Sequence, residues 1–348
     1  MTDNMEHLHD DVFGKSFELY GRRELEEFIE PLAQRYERNG IDPQEAFSGK
    51  VCLDAGCGNG RGSVYMMSNG ARSVDSVDIS PKNIKSTERN LKLFGHSNFT
   101  CTQSSLETLP FEDNSFDFVW CNGVIMHTAN PDACLAEISR VLKTGGQAWI
   151  YVYGAGGLYW YAMRRFRQQL KNVDIDACLD GLRLMRYSTR YVAEFMDDWK
   201  VPYLRTYTAE DFSNRLGSFG YETPTPLPRG VVYDTSERRH SYPQSAAWVG
   251  DGDLRYFLTK TSAPQGSSSA LSDSEYGSEV TFGAQITSRF GPLFDALFDG
   301  INDNPLLAIA QCGYVHKGLR DLLSVEGDLN VDAFEETLQM AKTLSGHL

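Results

Sequence analysis

The chain has 348 residues, with 33 basic and 47 acidic side chains that give a formal net charge of −14 at pH 7. No run approaches the roughly 18 apolar residues that a membrane helix needs, and the polar, acidic amino terminus has no signal-peptide pattern. The acidic balance argues against a nucleic-acid partner, because affinity for the phosphate backbone comes from clustered Lys and Arg. We therefore expect a cytoplasmic protein with neither a membrane nor a nucleic-acid partner.

Cysteine and histidine spacing indicates neither a disulfide framework nor a metal centre. The seven cysteines are an odd number without a C-x-x-C pair, so we interpret them as reduced thiols. His7, His9 and Asp10 lie close together, but such a short group near a chain end is typical of a solvated tail. No metal site is predicted.

The segment of residues 13–36 has helical periodicity and predicts an N-terminal cap over residues 1–48. Gly21 interrupts the pattern, and Pro31 and Gly40 are expected to end it. Its apolar positions are Phe13, Phe17, Tyr20, Leu25, Phe28, Ile29 and Leu32.

The run of residues 51–60 predicts a short buried strand that ends in Asp54 and continues into three alternate glycines, Gly56, Gly58 and Gly60. Glycine lets the backbone bend tightly and approach a ligand, and the helix that follows offers unpaired N–H groups at its start. Neither G-x-G-x-x-G nor the phosphate loop G-x-x-x-x-G-K-[ST] fits this spacing. The pattern that remains is D-x-G-x-G-x-G.

A second predicted strand, residues 73–77, ends at Asp78. The end of the second strand in a doubly wound sheet is where a ribose diol is held, since one carboxylate can accept from two adjacent hydroxyls. We predict that Asp78 is this ribose ligand.

Further elements follow in regular order along the chain. Strands are predicted at residues 99–103, 116–121 and 147–153, with an apolar-faced helix at residues 131–142. The loop at residues 104–111 contains L-P-F, and K-x-G-G stands before the last of these strands.

Together these motifs resemble the class I S-adenosylmethionine (SAM) dependent methyltransferases over residues 50–153 without a gap. The resemblance implies SAM as cofactor and an α/β fold with a doubly wound, Rossmann-like sheet. It assigns residues 49–153 to the SAM-binding core. A doubly wound domain that binds another adenine cofactor is the alternative.

The resemblance also implies the cofactor contacts. Ser105 and Leu106 stand in the loop that flanks adenine, although the family often has an acid where Ser105 stands, and Asn122 lies in the segment beside the methionine half of SAM. The complete set is Asp54, Gly56, Gly58, Gly60, Asp78, Ile79, Ser105, Leu106 and Asn122, with Phe17 and Tyr20 of the cap. For the two cap residues, core packing is an equal alternative to a cation–π contact with the sulfonium.

His127 follows the fourth predicted strand near the methionine end of the site. If the acceptor is a hydroxyl or an acidic carbon, this histidine is the best candidate for a general base. A structural histidine that bonds a neighbouring backbone group is the alternative.

Residues 154–205 leave the core pattern and are predicted to form a lid, since they follow the fifth strand on the ligand side of the sheet. They carry nine basic and six acidic residues, against a net charge of −8 for residues 264–348. We predict that Tyr153 and Tyr159, with Arg164 or alternatively Arg165, select a substrate with a carboxylate or phosphate. Most lid aromatics are expected to pack the lid onto the sheet instead.

The rest of the chain is divided by composition. Residues 206–261 are predicted to end the core, with a helix end at residues 217–221 that resembles the one before the family's last strand pair, and a final strand at residues 254–259. Residues 262–283, rich in Ser, Gly and Pro, are predicted to be a linker. Residues 284–348 are predicted to be a helical extension that packs on the core, covers the active site or forms a homodimer. Its first helix has an apolar stripe from Phe290 to Ile301, and helices at residues 308–323 and 332–344 follow.

The expected function is methyl transfer from SAM to a small, acidic metabolite or natural-product intermediate. Two alternatives stay open. SAM could instead serve 3-amino-3-carboxypropyl transfer or cyclise to azetidine-2-carboxylate, or the chain could be a SAM-binding regulatory protein without catalysis.

Overall fold

The computed structural model describes residue 12 and residues 21–261, 284–299, 304–325, 327 and 330–343. The chain divides into two compact units. The first contains residues 1–154, 202–231 and 253–278, and the second contains residues 155–201, 232–252 and 279–348. The predicted lid and the predicted C-terminal extension therefore belong largely to the same unit, which also takes in residues 232–252 from the expected core.

The first unit contains a six-stranded sheet in the order β3-β2-β1-β4-β5-β6. The strands are β1 (Val51–Ala55), β2 (Ser73–Asp78), β3 (Phe99–Gln103), β4 (Phe116–Asn122), β5 (Leu142–Tyr153) and β6 (Asp253–Thr259). Strands β1 to β5 pair in parallel, and β6 runs antiparallel to β5. This confirms the predicted doubly wound α/β class, with the strand order reversing between β1 and β4.

The helices are α1 (Arg22–Arg38), α2 (Pro43–Phe47), α3 (Arg61–Ser68), α4 (Pro81–Leu93), α5 (Pro131–Val141), α6 (Gly157–Gln169), α7 (Ile175–Leu184), α8 (Thr189–Lys200), α9 (Ala209–Ser218), α10 (Thr235–Ser241), α11 (Ala246–Val249), α12 (Ala284–Phe298), α13 (Pro305–Ser324) and α14 (Val331–Thr343). Short 3-10 turns lie at Ile125–His127 and Pro243–Ser245.

Both faces of the sheet are buried, as expected for parallel strands covered by helices. Successive side chains of β4 and β5 point to opposite faces of the sheet. On one face Trp149 stacks on Trp120 at 5.2 Å and on Tyr36 of α1 at 5.0 Å between ring centroids. On the other face, Val119 and Ile150 join a large aliphatic core.

Helix α1 corrects one prediction. The helix runs through Pro31 to Arg38, so this proline does not end it. Beyond Pro31, Leu32 and Tyr36 are 1% and 0% exposed. Burying two such side chains contributes about 1.5–3 kcal/mol each, which offsets the roughly 3 kcal/mol that a proline costs inside a helix.

The end of the first unit contains the predicted final strand, residues 254–259, as β6. Between α9 and β6, Tyr221 makes only an isolated bridge with Lys260, and residues 222–232 contain no strand. Pro224, Pro226 and Pro228 explain the lack of a strand in that segment, because proline has no N–H to donate to a β-ladder.

Within the second unit, aromatic side chains of several helices form the core. Phe195 of α8 stacks on His316 of α13 at 4.1 Å and on Trp199 at 5.1 Å. The predicted apolar stripe of α12 packs inward in the same chain: Phe294 lies 5.8 Å from Tyr161 of α6 and 6.4 Å from Phe334 of α14 between ring centroids.

This packing gives the stripe a partner within its own chain, so it lends no support to the predicted homodimer. Ile301, at the end of the predicted stripe, and the predicted linker at residues 262–283 lie outside the described residues. Across the described ranges, no helix combines the length and apolar character needed to cross a membrane.

Candidate functional site

The glycine loop between β1 and α3 adopts the conformation that its sequence predicts. Gly56, Gly58 and Gly60 all have positive φ, at 82°, 55° and 82°. A Cβ on Gly56 would lie 2.5 Å from a methyl carbon of Val124, so only glycine fits there without a shift. The N–H groups of Gly56 and Cys57 donate to the carbonyl of Val77 at 2.8 and 2.9 Å, which ties the loop to β2.

Asp78 stands at the carboxyl end of β2 and is 8% exposed. Its carboxylate accepts from the N–H of Gly58 at 2.9 Å, from the N–H of Ser80 at 2.9 Å and from the amide of Asn83 at 3.2 Å. These donors fix the orientation of the carboxylate and connect it to the glycine loop.

Asp54 ends β1 beneath the same loop and is 2% exposed. Its carboxylate accepts from the Ser63 hydroxyl at 2.6 Å, and that hydroxyl lies 2.8 Å from the Ser76 hydroxyl. Burial raises the pKa of Asp54 to about 6, although the Ser63 hydrogen bond opposes the shift. A nearby positive charge would lower this pKa and favour the ionised form of the Asp54 carboxyl group.

Two α4 side chains hold the outer part of the loop and were missed by sequence analysis. Thr87 donates to the carbonyl of Gly58 at 2.9 Å, and Asn90 donates to that of Asn59 at 2.8 Å. With Asn83 and Ser86 they form a buried polar stripe at helical spacing. That spacing is visible in the sequence as a polar counterpart of an apolar stripe.

The ends of β4 and β5 lie side by side on the other half of the site. Asn122 is in register with Tyr151, which is in register with Arg255 of β6. The Asn122 amide oxygen accepts from the Trp149 indole at 2.9 Å, and the Tyr151 hydroxyl donates to Asp253 at 2.8 Å.

Arg255 is a buried basic group in this row that sequence analysis did not single out. Its side chain is 4% exposed and forms an ion pair with Asp253 at 3.3 Å. The guanidinium also lies 4.4 Å from the centroid of the Tyr151 ring. No sequence motif around Arg255 indicates a role for it, because only the pairing of β6 with β5 places it beside Tyr151.

His127 lies in the 3-10 turn after β4 and is 3% exposed. Its Nδ1 lies 2.9 Å from the carbonyl oxygen of Tyr203, and its ring centroid lies 5.5 Å from that of Tyr153. Tyr153, predicted to contact substrate, thus stands beside the predicted base.

The predicted adenine side follows β3. The hydroxyl of Ser105 accepts from the N–H of Glu107 at 3.1 Å and shapes this turn, while Leu106 packs into the aliphatic core. Ile79 follows Asp78, and its carbonyl accepts from the Gln103 amide at 3.1 Å.

The remaining predicted residues are not part of this edge as described. Phe17 and Tyr20 lie outside the described residues. Tyr159 and Arg164 belong to α6 of the second unit. There the Tyr159 hydroxyl donates to Asp198 at 2.5 Å and lies 3.0 Å from Nε2 of His316.

Comparison with known proteins agrees with this geometry. Residues 53–150 match a family profile described as a methyltransferase domain. A sarcosine/dimethylglycine N-methyltransferase of Aphanothece halophytica is 33% identical over 100 residues, which are 28% of this chain and 36% of that relative. A tRNA U34 carboxymethyltransferase of Campylobacter concisus is 31% identical over 112 residues, which are 32% of this chain and 38% of the relative.

The chain therefore spans little more than a third of the length of these curated relatives. Among solved structures, the 1,6-didemethyltoxoflavin-N1-methyltransferase of Burkholderia thailandensis aligns with a TM-score of 0.38 and 17% identity, over 66% of this chain and 76% of that chain. Residues 53–150 of this chain therefore match a methyltransferase domain, the same stretch whose motifs resemble the class I SAM-dependent methyltransferases.

Proposed function

We propose that this protein binds SAM at the carboxyl edge of its sheet and transfers the methyl group to a small, acidic metabolite or natural-product intermediate. The observation that carries the proposal is the hydrogen bond of 2.9 Å from the Gly58 N–H to the Asp78 carboxylate. This bond joins the glycine loop to the acid of the second strand, which is the pairing that a nucleoside ligand needs.

The residues present fit SAM. Ligands of doubly wound sheets bind where the strand order reverses, and here that point lies between β1 and β4. Asp78 would accept from the ribose hydroxyls, and Ser105 and Leu106 would flank the adenine. Asp54 is more deeply buried than Asp78, and its carboxylate would attract the positively charged methionine half of SAM.

SAM supplies an electrophilic methyl group on a sulfonium, so little covalent chemistry is asked of the protein. Its main contribution is to hold the acceptor in line, and such positioning contributes roughly 7–11 kcal/mol to lowering a barrier. His127 would accept a proton from the acceptor atom as the new bond forms. Tyr153, 5.5 Å from His127 between ring centroids, would form the adjoining wall.

The excess of basic over acidic side chains in residues 154–205 supports an acidic acceptor. Two of their arginines have internal partners: Arg165 pairs with Asp295, and Arg167 donates to the carbonyl of Val201 at 2.9 Å. The prediction that Arg164 is the anion ligand rests on the net basic charge of residues 154–205 alone. Tyr159 is a weaker candidate, because its hydroxyl already contacts Asp198 and His316.

Other SAM chemistry is a second candidate, favoured by the similarity to a protein named as a tRNA carboxymethyltransferase. That relative is named for the transfer of a group other than methyl. A nucleic-acid acceptor agrees poorly with a net charge of −14, since phosphate contacts need clustered Lys and Arg.

The cofactor part is tested by calorimetric titration of SAM into the wild type, Asp78→Ala and Asp113→Asn. Asp78→Ala removes hydrogen bonds worth roughly 1.5–3 kcal/mol each, so affinity should fall at least tenfold. Asp113 is the control, because its side chain is 69% exposed and pairs with Arg140 rather than with the glycine loop. Unchanged affinity in a folded Asp78→Ala variant would contradict the assignment.

The reaction is tested by incubating the protein with SAM and a small-molecule extract, followed by mass analysis. Formation of S-adenosylhomocysteine with an acceptor that gains 14 mass units, as one methyl group requires, would support methyl transfer. Methylthioadenosine would instead indicate transfer or cyclisation of the amino-acid chain. SAM binding without either product would favour the regulatory alternative.

A further inference from the structure

A short segment of the first unit, residues 203–205, holds the turn that carries His127. The carbonyl of Tyr203 contacts His127 Nδ1 at 2.9 Å, and the N–H of Arg205 donates to the carbonyl of Met126 at 3.1 Å. The Arg205 guanidinium donates to the carbonyls of Thr128 and Ala129, the latter at 3.2 Å. Tyr203 and Arg205 therefore make four hydrogen bonds to His127 and its neighbours in the turn.

The contact with Tyr203 determines which ring nitrogen of His127 carries the proton. A backbone carbonyl can only accept a hydrogen bond, so Nδ1 must be the donor. In the neutral ring, the lone pair then resides on Nε2. Nε2 is thus the nitrogen that can accept a proton.

Arg205 is suited to hold this arrangement. It is 6% exposed, and its planar fork reaches two successive carbonyls at once, which the single ammonium of lysine reproduces poorly. The guanidinium also lies 5.1 Å from the centroid of the Tyr203 ring, so it connects the residue that orients His127 with the turn that carries it. Loss of Arg205 would remove the donor to the carbonyls of half-buried Thr128 and exposed Ala129 and loosen both sides of the contact.

We propose that Arg205 is a positioning residue that, through the Tyr203 carbonyl, holds neutral His127 with its proton on Nδ1 and its basic nitrogen, Nε2, ready for the acceptor. The role of His127 as a base rests on the proposed function, but the position of its proton does not. The chain re-enters the first unit at residue 202, and residues 203–205 follow directly after it. The orientation of the base therefore depends on this re-entry segment.

The experiment is nitrogen NMR of the full chain labelled with 15N-histidine, with the His127 signals identified by their loss in His127→Gln. The wild type should have about nine-tenths or more of the neutral ring protonated on Nδ1, and Arg205→Met should lower this to about half. Arg205→Lys should lie between the two, because it keeps the charge and loses the fork.

Arg215→Met is the matched control. Arg215 is also 6% exposed and also lies near a tyrosine ring, Tyr207 at 5.7 Å, but it pairs with Asp132 at 2.5 Å rather than with the His127 turn. Its removal should leave the His127 signals unchanged. A shift in both variants would mean a general loss of packing and would overturn the proposal.

The wild-type spectrum alone can also overturn the proposal, even where a variant does not fold. Neutral His127 with its proton on Nε2 would contradict the geometry directly. Once an acceptor is identified, Arg205→Met should slow methyl transfer about tenfold to hundredfold with SAM affinity within twofold. A correct tautomer with full activity in His127→Gln would sink the base role and leave the positioning result standing.

Discussion

The carboxyl edge of the first unit and the helical core of the second unit both bury titratable side chains, but they satisfy them in different ways. At the edge, the Asp78 carboxylate accepts from backbone N–H groups of Gly58 and Ser80. In the second unit, Asp198, Tyr159 and His316 contact one another. The difference follows from the backbone: strand ends and loops leave N–H groups to donate, whereas helices use theirs internally.

This contrast has a functional meaning. Polar groups oriented by a loop can contact a ligand without breaking a helix, while polar groups between helices mainly specify packing. Burial lowers the pKa of His316, so this histidine favours its neutral form in the helical core. We therefore expect substitutions at the edge to change ligand binding and those in the helical core to change stability.

The largest effect is expected from Gly250→Ala in the second unit. This glycine has a φ of 59°, and a Cβ there would lie 2.0 Å from the carbonyl oxygen of Ala155. Backbone cannot move aside as a side chain can, so the variant should lose about 3–5 kcal/mol of unfolding free energy. Gly327→Ala is the control, since Gly327 also has positive φ but a Cβ there would have no neighbour within 4 Å among the residues that the structure describes. Equal urea midpoints for the two variants would contradict the geometry.

A pH effect of about 3 kcal/mol is expected from Asp54, whose pKa burial raises from 3.8 to about 6. Between these pH values the folded chain binds more protons than the unfolded chain. Stability attributable to Asp54 is therefore fully present below pH 4 and is lost as the pH rises to about 6.

Affinity for SAM should change in the opposite direction over the same range, because the ionised carboxylate attracts a cationic ligand. Asp54→Asn should flatten both profiles. Urea unfolding and calorimetry from pH 4 to 7 measure them, and a wild-type SAM affinity that is constant across pH 6 would contradict the placement of Asp54 beside the cofactor.

The smallest effect is expected from a pair of tyrosines, one in each unit. Tyr159→Phe removes a hydroxyl that contacts Asp198 and His316, which should cost about 1–3 kcal/mol of stability. Tyr153→Phe should leave stability within about 0.5 kcal/mol and change the acceptor KM instead. Unfolding curves and acceptor kinetics of both variants make the test. The comparison of the two units fails if Tyr159→Phe alters KM at unchanged stability.

Local sequence predicted the core of the first unit well. The strand positions, the D-x-G-x-G-x-G loop and the place of Asp78 at a strand end depend on short buried segments bounded by turn residues and on glycine at positive φ, which are properties of a few consecutive residues. The same local reasoning failed at Pro31, where burial of Leu32 and Tyr36 keeps the helix intact.

By itself, the sequence determined the fold class, the glycine loop and the two acids at the strand ends, because each follows from residues close together in the chain. Only the tertiary structure decided the partners that lie far apart. Arg205 reaches the His127 turn across 76 positions, and Tyr159 meets His316 across 157. Such pairs leave no periodic signal, since they form only when the packing of whole elements brings the two side chains together.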